Sequence, residues 1–232
     1  MNYLNREQFD LGAECLGDAE SSLESARLRA SQVAAQFEKT PGTDPRKCTL
    51  GIELGRLYRE SDQKELAWRT LFPLLESCLS GEHWQDAVEV CEGLYLCEQP
   101  NALVALGHAL WLSVTFPVDP TLTVCQLQYV IDETPEDSDG AAVAAAVAAY
   151  VVDLRGENAQ NSDAVLAVGR MFNDVARRHS GVSSPQQFDD WVTRMELDRP
   201  EKFLVRLRNI IDVLVQDEWW FDRTSLQARI PE

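Results

Sequence analysis

The sequence predicts an all-α protein, a helical-hairpin α-solenoid with a long N-terminal helix and a C-terminal helical cap. Three observations carry this. Leu54 and Tyr58, then Ala67, Leu71 and Leu74, sit at three- and four-residue spacings on either side of a polar turn, Glu60-Ser61-Asp62-Gln63. Two further segments of similar length, 83–116 and 121–154, follow it at near-equal spacing. A heptad repeat runs through the N-terminal 40 residues.

Taken in order, Asn5 to Glu38 reads as one helix. Phe9, Leu16, Leu23, Ala30 and Phe37 recur every seven residues, with Gly12, Ala19, Ala26 and Val33 between them. That seam fits a helix lying along its own domain, the favoured reading. It also fits a partner helix, or a second copy of the chain, docked in it. Thr40-Pro-Gly-Thr-Asp-Pro breaks the chain. The first hairpin, Gly51 to Leu79, follows. Its Leu54-Gly55-x-x-Tyr58, a small residue at Ala67 and large apolar residues at Leu71 and Leu74 resemble one tetratricopeptide repeat. The proline that such a repeat carries after its second helix is missing; Pro73 stands inside that helix and suggests a kink or a degenerate repeat. The resemblance covers one repeat and implies a scaffold that binds protein. In the same hairpin, Gly55 and Ala67 permit close approach of two helix backbones.

Ser80-Gly81-Glu82 turns the chain into a helix from His83 to Cys97, with Trp84, Ala87, Val88, Cys91, Leu94 and Tyr95 on or near one face. Ala102–Phe116 is apolar almost all round and is expected to be buried. Pro117 and Pro120 end it, and Leu122 to Ile131 forms the next helix, with Leu122, Cys125, Tyr129 and Val130 as core candidates. The acidic loop Asp132–Gly140 has the wrong residues for a calcium loop, Pro135 and Ala146 falling at the first and last ligand positions. Its Asp139 is expected to cap the alanine-rich helix Ala141–Val152, read as central and buried. A polar linker leads to a helix from Asp163 to about His179, whose closing Arg177-Arg178-His179 complements its own dipole. Ser184-Pro185 and Asp198-Arg199-Pro200 start two more helices. The expected organisation is therefore 1–40 as the long helix, 46–155 as the hairpins, and 162–232 as the cap.

Charge divides the chain unevenly. Of a net −17, residues 70–154 carry 13 acidic and no basic residues, whereas 1–69 and 155–232 are each nearly balanced. The acidic middle is either a solvated face or a surface that attracts a basic partner; with no cations of its own it is not expected to bind nucleic acid. No apolar run reaches membrane-spanning length, and the N-terminus lacks a basic-then-apolar signal region. Neither a membrane nor export is expected. The six cysteines form no CxxC pair and read as reduced, mostly buried thiols of a cytoplasmic protein.

No phosphate loop, HExxH, GxSxG or CxxC motif occurs, and His83, His108 and His179 lie far apart in sequence. No catalytic, cofactor or metal site is assigned. The expected function is a non-catalytic scaffold, adaptor or assembly factor that grips a partner protein through an acidic helical-repeat surface, which would attract a basic segment of that partner. The alternative is an acidic mimic of nucleic acid that inhibits a nucleic-acid-binding protein. Candidate partner-binding residues are Glu82, Asp86 and Glu89 in the acidic middle and Trp219, Trp220 and Phe221 near the C-terminus. Those three aromatics serve either as a clasp under the last helix or as an exposed anchor.

Overall fold

The computed structural model describes residues 11–42, 44–155 and 163–230, with side chains from residue 22. Phe9, the side chains of Leu16 and Cys15, most of the polar linker and the Asp163 side chain, with the cap expected of it, lie outside that description. Among the described residues there are eleven helices and no strand. They are α1 (Leu11–Lys39), α2 (Arg46–Glu60), α3 (Lys64–Ser80), α4 (Trp84–Tyr95), α5 (Ala102–Thr115), α6 (Pro120–Asp132), α7 (Asp139–Arg155), α8 (Asp163–Ser180), α9 (Pro185–Arg194), α10 (Pro200–Val215) and α11 (Arg223–Gln227). None is long and apolar enough to cross a membrane.

Each of α1 to α8 packs on its successor. In addition α2 meets α4 and α6 meets α8, while α10 folds back onto α5 and α7. The C-terminal segment thus runs along the hairpin stack as well as beyond it. Sandwiched between neighbours, α5 is buried continuously from Val104 to Ser113 and α7 from Ala141 to Ala148. The alanines of α7 let helices close in on it, as the sequence suggests. Along α1, Ala30 and Val33 are buried against Leu54 and Leu57 of α2, so this part of the seam faces its own chain.

The first hairpin is closed by Asp62, whose left-handed φ of 60° turns the chain so that the Gln63 N–H reaches the Tyr58 carbonyl. Its interior is set by Leu71, which is 1% exposed. A Cβ on Gly55 of α2 would stand 2.7 Å from Leu71 Cγ, and one on Gly93 of α4 would stand 2.7 Å from Leu71 Cδ1. Leu71 therefore occupies a socket made by two glycines on the helices flanking its own. α3 continues through Pro73, an exposed position that gives up one backbone hydrogen bond.

Several boundaries differ from the sequence reading. Pro120 begins α6 rather than ending α5: Asp119 caps that helix by accepting the Thr121 N–H at 2.7 Å, and Pro120 occupies the first turn, where its missing donor costs nothing. At the start of α7 the Ser138 hydroxyl, not Asp139, accepts a backbone N–H, from Gly140 at 3.1 Å. Asp139 instead pairs with His179 at 3.1 Å and Arg206 at 3.5 Å. Within α6 the buried stripe is Val124, Leu127, Val130 and Ile131; Cys125 is exposed, and Leu122 and Tyr129 are half-buried. Of the four core candidates on that helix only Val130 is in the core, because the other three share a different stripe.

The missing cations of residues 70–154 reappear at helix ends. α3, α4, α5 and α6 carry no basic residue in their last turns. Arg155 donates to Ser113 O at 2.8 Å and Val114 O at 3.1 Å at the end of α5. Arg178 donates to Ile131 O at 2.9 Å at the end of α6, and Arg229 to Leu79 O at 3.1 Å at the end of α3. Unpaired terminal carbonyls and the negative helix end are thus served by arginines from later in the chain. Arg178 was expected to serve its own helix; it serves α6.

The socket makes a quantitative expectation. Gly55→Ala should destabilise by about 1–3 kcal/mol through overpacking, and Leu71→Ala by about 2–5 kcal/mol through its cavity. In urea unfolding the double variant should lose clearly less than the sum of the two, because the added methyl enters the space Leu71 vacates.

Candidate functional site

Two surfaces collect the residues that the sequence singles out. The first is a cleft of about 460 Å³ between α2, α4 and α6. Glu53 and Arg56 come from α2, Arg59 follows them, Glu89, Glu92 and Leu96 come from the α4 side, and Leu122 comes from α6. α4 presents Asp86, Glu89 and Glu92 at three-residue spacing, so they form one stripe while Ala87, Val88, Cys91 and Leu94 face the core. The cleft wall is continued by a crossed pair of tyrosines. Tyr129 on α6 donates to Glu92 Oε1 at 2.9 Å, and Tyr95 on α4 donates to Glu133 Oε1 at 2.7 Å, with their rings 5.0 Å apart. Burial, then the neighbouring carboxylates, push both phenols above their ordinary values. Partial burial is also the main reason that Glu89 lies above the usual carboxylate range; Asp86 and Glu92 add to it, against a hydrogen bond from Gln85.

Of the acidic candidates, Glu89 lines this cleft and Asp86 lies on the same stripe. Glu82 is exposed in the α3–α4 turn, with a left-handed φ of 57°. Cys125, Leu122 and Tyr129, whose stripe resembles a core face in the sequence, belong to the cleft side. The signal for that was Gln126, Leu127 and Val130 on the opposite side, but a fully buried glutamine reads as polar surface until the fold is known.

The second surface is aromatic. Trp219, Trp220 and Phe221 are half-buried and pack against α3 and α5. Trp220 meets Trp68 and Phe72 edge-on at 6.0 and 5.0 Å and stacks on His108 at 4.4 Å. Trp219 lies 5.9 Å from Trp111, and Arg223 covers its other face at 4.0 Å. His108, fully buried, organises the group: its Nδ1 lies 2.6 Å from Val104 O and its Nε2 accepts the Trp220 backbone N–H at 3.1 Å. That pairing fixes a neutral imidazole with its proton on Nδ1. Gly107 leaves room for the arrangement, since a Cβ there would stand 2.6 Å from Val215 Cγ2. In this geometry the three rings clasp the end of α10 to the hairpins.

The fold also joins residues that the sequence keeps apart. His179 Nε2 meets Asp139, while its Nδ1 lies 2.7 Å from Ser180 Oγ and accepts the Trp191 indole N–H at 3.2 Å. This hydroxyl–imidazole–carboxylate line ties α7, α8 and α9 together, with Trp191 sharing the nitrogen that a hydroxyl base would need free. Cys48 of α2 and Cys78 of α3 form a disulfide, which corrects the expectation of reduced thiols for that pair; Cys91 and Cys97 are buried free thiols, and Cys125 is an exposed one.

Comparison with known proteins finds no matching family model, no similar curated protein and no similar solved structure.

His108 supplies a pH-dependent term. Burial holds it down from 6.5 to about 4, so the unfolded chain takes up a proton near pH 6.5 that the native protein refuses until about pH 4. The stability of the neutral form is complete above pH 6.5 and is lost as pH falls through that window, by up to about 3 kcal/mol. In His108→Gln the urea midpoint should be lower near neutrality and should fall less steeply between pH 6.5 and about 4.

Proposed function

We propose that the chain is a non-catalytic interaction module whose cleft between α2, α4 and α6 receives a basic segment of a partner protein. The observation that carries this reading is Glu89 and Glu92 of α4 in the cleft wall beside the crossed tyrosines. Across the cleft from these carboxylates stand Arg56 and Arg59 of α2, and Ile52, Leu96 and Leu122 with the adjoining tyrosines add apolar contact, so ion pairing and apolar contact meet in one groove. Glu89 and Glu92 lack a directly bound cation among the described residues, so an incoming arginine or lysine meets carboxylates with acceptor capacity to spare. The absence of Lys and Arg from residues 70–154 removes competing internal partners from α4 and α6 themselves. The aromatic cluster is assigned to holding the fold, since its rings already have partners.

Binding of fluorescent Lys/Arg-rich peptides, followed by anisotropy, tests this. Affinity should fall as salt rises. Glu89→Gln/Glu92→Gln should bind roughly three- to thirtyfold more weakly at low salt. Glu136→Gln/Asp137→Gln, which removes equal charge from a loop outside the cleft, should bind as the native chain does. Equal losses in both variants would mean that net charge, not the cleft, attracts the peptide.

A further inference from the structure

The sulfurs of Cys48 and Cys78 and a carboxylate oxygen of Asp86 lie within 4.8 Å of one another, the two cysteines buried and Asp86 half-buried. These residues come from three different helices: the start of α2, the end of α3 and the first turn of α4. Four ligands around zinc at about 2.3 Å for sulfur and 2.0–2.2 Å for oxygen stand roughly 3.3–3.8 Å from one another, so small side-chain adjustments bring this triad to coordination distance. Both cysteines line a cavity of about 700 Å³, whose wall also includes His83. That cavity provides an entry path and room for a fourth ligand.

We propose that the reduced form of this pair, together with Asp86, is a zinc-binding site. A thiol or phosphine reductant supplies two electrons; the disulfide opens and each sulfur takes one proton. Zn²⁺ then displaces those two protons and binds two thiolates and one carboxylate, with the cavity-facing position left for water. Two soft thiolates favour zinc over magnesium or calcium, which prefer oxygen ligands. The disulfide and the ion are alternative clips for one junction. The disulfide joins α2 to α3, and the ion also fixes α4, the helix that carries Glu89 and Glu92. The site stands on its own ligand geometry and does not depend on the cleft's role.

The test uses the full chain, reduced with a phosphine and freed of it without oxygen. Added Co²⁺ should produce a thiolate-to-metal charge-transfer band that saturates at one ion per chain and is displaced by Zn²⁺. The band should vanish in Cys48→Ser and Cys78→Ser. Asp86→Asn should weaken binding roughly tenfold or more, and Cys125→Ser should leave it unchanged. Because a serine variant can lose its fold, alkylation of the native reduced chain gives a second reading: Zn²⁺ should slow modification of Cys48 and Cys78, mapped by mass spectrometry, but not of Cys125. No charge-transfer band in the reduced native chain, or equal alkylation of Cys48 and Cys78 with and without Zn²⁺, overturns the proposal.

Discussion

Leu71 is the point on which the stack depends. An α-helix with ordinary side chains keeps its neighbours about 8–10 Å away between axes, and three consecutive helices can close further only where a side chain is absent. Gly55 on α2 and Gly93 on α4 provide that absence on both sides of Leu71. Because α2 and α4 then approach each other as well as α3, a cleft forms along their common edge, with α6 completing it. Glu89 and Glu92 of α4 face this cleft because the apolar residues of that helix are committed to the opposite side. Packing of one leucine and presentation of the carboxylates are therefore consequences of the same rotation of α4.

The same register accounts for the disulfide. Cys48 lies seven residues before Gly55, and Cys78 lies seven after Leu71. Seven residues is close to two helical turns, so an antiparallel hairpin that seats Leu71 on Gly55 also sets Cys48 against Cys78. Asp86 reaches the pair because Gly93, two turns further along α4, is held against Leu71 as well. The junction at the cysteines and the socket at Leu71 are two levels of one three-helix contact.

Much of this was legible in the sequence, and the failures have physical causes. The periodicity of Leu54, Tyr58, Ala67, Leu71 and Leu74 reports a hairpin because spacing within a helix is local information. Gly93 could not be assigned to the socket, since its partner is on another helix. The stripe of Leu122, Cys125 and Tyr129 is as apolar as a core face, and only the position of α4 makes it a cleft wall. Charge asymmetry was visible, but its structural half was not: Arg155, Arg178 and Arg229 each serve a helix end at least 41 residues away in sequence. Trp219, Trp220 and Phe221 could be read as anchor or clasp until His108 appeared beneath them. A lone histidine in an apolar helix carries no sequence signal for the backbone N–H it will accept.

The proposed division of labour between the two faces, with recognition in the cleft and cohesion in the aromatic cluster, is best tested by amide chemical shifts. A ¹⁵N-labelled chain titrated with an arginine-rich peptide at low salt should show shifts concentrated on α4 and α6, around Glu89, Glu92, Tyr95 and Tyr129. The Trp219, Trp220 and Phe221 amides should stay in place. Shifts centred on those three aromatics, with α4 and α6 unmoved, would contradict the account.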